Sequence, residues 1–118
     1  MPTLDEFEHD VVEWFRSTIL PQSNAHGTFL KTEEEFLELK EKEDRLHEVL
    51  GGGTDCTPHE YAVLVEQLHE EAADVFIAFL AWCSTRGIDL VAAGTKKMER
   101  NRKRTWGPPN SDGVRRHI

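Results

Sequence analysis

The sequence predicts an all-α protein, a four-helix bundle. Apolar residues recur at helical spacing in four stretches, capping residues stand at their starts, and glycine or proline follows each one. Strand signals are weak throughout. At 118 residues, the chain has room for one modest core rather than two.

Phe7, Val11, Val12, Trp14 and Phe15 place a first helix over about residues 3–18, ended by Pro21. The polar stretch 22–27 reads as a loop. Thr32 can cap a second helix, with Glu35 three residues on completing a capping box, and a start near His26 is the alternative. Phe36, Leu37, Leu39, Leu46, Val49 and Leu50 continue this helix until Gly51, Gly52 and Gly53 stop it. Thr57-Pro58-His59-Glu60 combines a threonine cap, proline at the first helical position and a glutamate at the third. A third helix therefore runs to about Thr85, with Gly87 as its stop. Asp89 caps a fourth, which continues to about Arg104 and ends at Gly107-Pro108-Pro109. Residues 110–118 read as an irregular tail. Four helices with short joins imply a bundle.

The formal charge is −8, from 22 acidic residues against 14 Lys and Arg. Such a field repels phosphates, so nucleic acid is not an expected partner. Phosphate chemistry would need a bound cation or a local basic patch. Basic residues do gather late, at Lys96, Lys97, Arg100, Arg102, Lys103 and Arg104, then Arg115 and Arg116. Cys56 and Cys83 sit in neither CxxC nor CxxH spacing, which argues against a zinc site or a disulfide framework. The N-terminus lacks an apolar signal region, and the longest apolar run, 75–83, is too short to span a bilayer. The expectation is a cytoplasmic protein with no membrane partner.

Two carboxylate motifs stand out. Glu35 and Glu38 are three residues apart and share one side of the second helix, beside Glu34. Glu71 and Asp74 repeat the spacing on the third. Antiparallel packing of these helices would bring four carboxylates to one spot, and Mg²⁺ takes oxygen ligands in near-octahedral geometry at about 2.0–2.1 Å. The plainer reading of the first motif is a solvated face, since residues 33–43 are rich in Glu and Lys. The second is harder to place on a surface. Asp74 leads into 75–82, a run apolar all round and expected to be buried, where a carboxylate is costly unless paired or metal-bound.

Other residues have two readings each. Asp44 with His47, and Glu66 with His69, fit the carboxylate-x-x-His spacing of di-iron bundles, which also arises readily in charged helices. Trp14, Trp82 and Trp106 can stack on a base, with core packing the better reading for Trp82. The basic run 96–104 also suits a helix C-terminus favoured by the macrodipole. Asn24 and His26 read as loop residues or as contacts to a base or sugar.

Taken together, Glu34-Glu35-x-x-Glu38 followed by Glu71-x-x-Asp74 resembles the MazG-like all-α nucleoside triphosphate pyrophosphohydrolases. The likeness continues through Arg86-Gly87-Ile88-Asp89-Leu90 and Lys97-Met98-Glu99-Arg100-Asn101-Arg102-Lys103-Arg104, and covers about residues 25–106. The ending, Trp106-Gly107-Pro108-Pro109-Asn110-Ser111-Asp112-Gly113 and then His117-Ile118, resembles the phage-type dATP/dGTP pyrophosphohydrolases of the MazZ group.

This resemblance implies a MazG-like domain over 1–106, a tail over 107–118, and an oligomer, either homodimer or homotetramer. Glu35, Glu38, Glu71 and Asp74 would hold Mg²⁺ or Mn²⁺, two or more ions per site. Glu34 would stand behind these ligands or orient the attacking water. Lys97, Asn101 and Arg104 would reach the phosphates, and Trp14 and Asn24 the base, with Gln22 a second candidate beside Asn24 for the base edge. The reaction would cleave dGTP or dATP to monophosphate and pyrophosphate, in a host cell's cytoplasm if the protein is phage-encoded. Two departures bear on this. The carboxylate motifs are further apart than in compact family members, and Ala78 stands where many relatives carry an aromatic residue against the base. The rival function is a non-catalytic acidic helical module that binds a basic partner.

Overall fold

Helix α1, Leu4–Thr18, begins where the Thr3 hydroxyl accepts a hydrogen bond from the Glu6 backbone N–H at 3.2 Å. Asp5 and Glu6 in its first turn complement the helix dipole. The computed structural model describes residues 1–19 and 24–118, so the expected stop at Pro21 lies outside the described residues. The chain divides into two compact units, Met1–Gly87 and Ile88–Ile118.

In the first unit, α2 spans Ala25–Leu50 and α3 spans Pro58–Thr85. The start of α2 corrects the sequence reading. Asn24, in extended conformation, accepts from Gly27 N–H at 2.7 Å and caps the helix; Thr32 does not. The Thr32 hydroxyl instead donates back to the Thr28 carbonyl at 2.9 Å, as threonine does inside a helix. Residues 25–27, read as loop, are therefore helical, in line with the alternative start near His26. Glu35 lies well inside α2 and has no capping role. The start of α3 follows the sequence, with both capping-box bonds formed between Thr57 and Glu60. Gly87, just past its end, has φ of 66°, a conformation that favours glycine.

Helices α2 and α3 form the main contact and run antiparallel. Phe29 meets Trp82 with ring centroids 5.5 Å apart, Glu35 meets Glu71 and Asp74, and Arg45 shares a cleft with His59 and Glu60. Helix α1 lies on α3, with Phe7 stacked on Phe76 at 5.6 Å and with Val11 and Phe15 buried. The core is small. Leu64, Leu80, Ala81 and Cys83 of α3 join Val11 and Phe15 in it. Both cysteines are free thiols, and burial pushes the Cys83 thiol above its ordinary value, with the Glu8 charge adding to the effect.

The run 75–82 is not buried all round, contrary to expectation. Leu80 and Ala81 are buried, but Phe76 is 39% exposed and Asp74 lies on the surface. Among the described residues of this unit, α1 and α2 are the helices that pack on α3, and part of its circumference stays open. Phe29, Leu30, Phe36 and Leu37 of α2 are also about half exposed.

The second unit holds α4, Leu90–Lys103, capped by the Asp89 carboxylate, which accepts from Ala92 N–H at 3.0 Å. Arg100, Arg102 and Lys103 fill its last turn, where cations suit the dipole. The tail, expected to be irregular, folds back on itself. Trp106 pairs with His117 in an antiparallel bridge, Gly107 N–H donates to the Arg116 carbonyl at 2.7 Å, and Ile118 N–H donates to the Thr105 carbonyl at 2.8 Å. The reversal is built by Asn110, whose side-chain oxygen accepts from Asp112 N–H and Val114 N–H. Among the described residues, no single helix is long and apolar enough to cross a membrane.

Candidate functional site

Three carboxylates converge where α2 faces α3. Oxygens of Glu35, Glu71 and Asp74 lie within 4.8 Å of one another. The i, i+3 spacing of Glu71 and Asp74 places both on one side of α3, and the antiparallel register brings Glu35 across to them. Among the described residues this is the one group of three His, Cys, Asp or Glu side chains so close together. Glu38 stands outside this tightest group, in solvent, yet feels it. Its carboxyl is raised above its ordinary value, first by the Glu35 charge, then by a hydrogen bond with Glu35, by desolvation and by the Glu71 charge. The Lys31 ammonium partly offsets this.

The donor set fits a divalent cation. Glu35 Oε2 and Glu71 Oε2 are buried without a hydrogen-bond partner, and the Glu35 side chain is only 12% exposed. Leaving a charged, buried acceptor unpaired costs free energy. A hard cation that takes oxygen ligands, such as Mg²⁺ or Mn²⁺, removes that cost and the mutual repulsion together.

A cavity of about 360 Å³ opens beside the carboxylates, in the size range of small-molecule sites, roughly 300–1,000 Å³. Glu35 and Asp74 form its charged end, and Trp14, Phe15, Ile77 and Ala78 contribute apolar wall. Lys31 stands on the same wall, its ammonium 2.9 Å from Glu35 Oε1 and 3.5 Å from Glu34. That pairing, foremost with Glu35, raises the ammonium above its ordinary value.

The structure thus brings Glu35, Glu71 and Asp74 together, with Glu38 alongside and Trp14 on the cavity wall. Glu34 is exposed and paired with Lys31. Asn24, expected at the base, uses its side-chain oxygen to cap α2. Gln22, a second candidate for reading the base edge, lies outside the described residues. Lys97, Asn101 and Arg104 belong to the second unit, where Lys97 is exposed on α4 and Arg104 is its C-cap. The Asn101 side-chain oxygen is buried without a partner, and its amide nitrogen faces Met98 Sδ at 3.8 Å. Of the carboxylate-x-x-His pairs, Asp44 is held by Lys40 at 2.6 Å. Trp82 is half-buried, its ring against those of Phe29 and Phe79, and it is not among the buried core residues. Sequence reading missed Lys31 and the buried Thr28, both on the cavity wall. The signal for Lys31 was present, four residues ahead of Glu35 on one helix face.

No protein-family model matches the chain, and no curated protein does. Among solved structures it is similar to a cyanophage S-2L MazG-like pyrophosphohydrolase bound to dGDP and three catalytic Mn²⁺ ions per active site. The two are 26% identical, the TM-score is 0.65, and the match covers 100% of this chain and 99% of that one. The all-α fold with four helices is therefore MazG-like over the whole length.

Proposed function

We propose that this chain is a Mg²⁺- or Mn²⁺-dependent nucleoside triphosphate pyrophosphohydrolase. The observation that carries this is the convergence of Glu35, Glu71 and Asp74, with two orphaned buried oxygens, at the mouth of an apolar cavity. The similar cyanophage protein, with dGDP and three Mn²⁺ ions in its site, supports it. Glu35, Glu71, Asp74 and Glu38 hold two or more ions. Bound there, the ions supply charge neutralisation at the triphosphate and acidify water. A water oxygen bonds to phosphorus as the α–β phosphoanhydride breaks, the proton passes to solvent, and monophosphate and pyrophosphate leave.

The chain's own residues position the substrate. The cavity takes the base, with Trp14 as its stacking surface, and the carboxylate end takes the phosphates. Glu34 orients the attacking water. Lys97, Asn101 and Arg104 reach the phosphates, a role that rests on the sequence resemblance. A purine deoxynucleotide, dGTP or dATP, suits the site because Ala78 leaves volume on the wall that a bulkier residue would fill. The active form is a homodimer or homotetramer, supported by the half-exposed Phe29, Leu30, Phe36 and Leu37 on one helix.

The test is pyrophosphate release from the eight common nucleoside triphosphates with Mg²⁺ or Mn²⁺. The expected result is metal-dependent turnover with kcat/KM highest for dGTP or dATP. No turnover on any of them would leave the rival, an acidic helical module without chemistry. A higher kcat/KM for dCTP or dUTP would overturn the purine assignment alone.

A further inference from the structure

We propose that Lys31 is a dual-purpose cation of this site. It is the resident counter-charge of Glu35, and it is also the group that contacts the nucleotide phosphate where the cavity meets the carboxylates. The proposal rests on the functional reading above.

Two observations carry it. Lys31 Nζ lies 2.9 Å from Glu35 Oε1, while Glu35 Oε2 remains buried and unpartnered. Lys31 therefore occupies one oxygen of a carboxylate whose other oxygen is left for a cation. Lys31 also stands on the cavity wall with Glu35, Asp74, Trp14 and Ala78. If the base lies among the apolar wall residues and the phosphates lie at the carboxylates, their junction passes this ammonium. Among the described residues, no other Lys or Arg lines the cavity.

The electrostatics assign opposite signs to the two roles. An ammonium paired with Glu35 opposes a divalent cation at the same carboxylate, so it weakens metal binding when no nucleotide is present. A triphosphate brings negative charge that the ammonium favours, and a charge-assisted hydrogen bond to phosphate is among the stronger ones. The side chain is 55% exposed and has the reach to leave Glu35 without refolding the helix. A purely structural ion pair would not produce such a reversal. Its loss would loosen Glu35 and weaken both ligands.

The experiment is calorimetric titration of Lys31→Met and the parent chain, first with Mn²⁺ alone, then with dGDP at saturating Mn²⁺. Lys31→Met is expected to bind Mn²⁺ roughly threefold more tightly, the scale of a partly exposed ion pair. It is expected to bind dGDP about tenfold more weakly, the scale of one hydrogen bond to a charged group. Lys31→Arg keeps the charge and should return both values toward the parent's. Weaker or unchanged Mn²⁺ binding by Lys31→Met would overturn the counter-charge role, and unchanged dGDP binding would overturn the phosphate contact. An unchanged melting temperature without ligands guards against a folding artefact, and Lys31→Gln provides a second neutral variant if methionine perturbs α2. A parent chain that binds no Mn²⁺ would overturn the functional reading itself. One that binds Mn²⁺ but not dGDP would overturn the purine assignment and the phosphate contact.

Discussion

The two carboxylate pairs share one spacing but occupy different surroundings. Glu35 and Glu38 on α2 are three residues apart, as are Glu71 and Asp74 on α3. In each pair, one member is partly buried with an orphaned oxygen, Glu35 or Glu71, and the other, Glu38 or Asp74, is exposed. The pairs also differ from each other. The α2 pair has Lys31 within reach, whereas among the described residues no basic side chain forms an ion pair with Glu71 or Asp74. Spacing places carboxylates on a common side, but depth and neighbours decide which of them is left short of a partner. The orphaned oxygens are therefore on the inner residues, Glu35 and Glu71, where a cation gains most.

This contrast is most directly broken by removing the inner charges. Glu35→Gln and Glu71→Gln are each expected to lower kcat with Mg²⁺ by at least about 100-fold, above the range for residues that merely support a ligand. They should also abolish any rise in melting temperature on adding Mn²⁺. Near-parental turnover in either variant would mean that the site is elsewhere. Glu38→Gln and Asp74→Asn should also remove most activity, and comparing the four shows whether depth sets the rank.

The next effect concerns the open faces of α2 and α3. Phe36→Asp places a charge on a side chain that is 54% exposed and borders a groove with Phe29 and Phe76. Sedimentation of the parent chain is expected to show a dimer or tetramer of the 13.5 kDa chain, and Phe36→Asp a shift toward monomer. A parent chain that remains monomeric at micromolar concentration would remove the oligomer from the proposal.

Ala78→Phe fills the cavity wall. It should raise KM for dGTP roughly tenfold and affect dCTP less, because the two-ring base needs the volume. Equal effects on both would show that Ala78 does not set base size.

The smallest effect sharpens the electrostatic side of the comparison. The Glu38 carboxyl is raised by the charge of Glu35 before any other cause, so the folded state favours its protonated form. Stability linked to this group is fully present in acid, below its unfolded value. It is lost as pH rises through the folded value. Without divalent metal, Glu38→Gln should therefore raise the melting temperature slightly at pH 7 and leave it unchanged near pH 4. A fall at pH 7 would mean that the charged carboxylate is stabilising in the fold.

Much of the architecture was legible without coordinates. The Thr57–Glu60 capping box, the Asp89 cap and the Gly51 and Gly87 stops are local devices, formed by residues within a few positions of one another, and the structure shows α3 and α4 where they place them. The choice between the two starts offered for α2, at Thr32 or near His26, was also a local competition, in which Asn24 had the better cap chemistry and Thr32 had a carbonyl four residues back to bond. The reversal of the tail at Asn110-Ser111-Asp112-Gly113 likewise used turn residues visible in the chain.

Burial was not legible in this way. The run 75–82 is apolar on every side, and hydropathy alone could not show that α1 and α2 cover only part of it. Nor could spacing distinguish Glu35 from Glu38, or show that Lys31 faces both a carboxylate and a cavity. The sequence by itself determined which segments are helical, where they end and which carboxylates share a side, because those choices rest on backbone hydrogen bonds and on side chains within one turn. Only the tertiary structure decided which oxygens are orphaned and which apolar surface stays open, because both depend on what residues distant in the chain place opposite them.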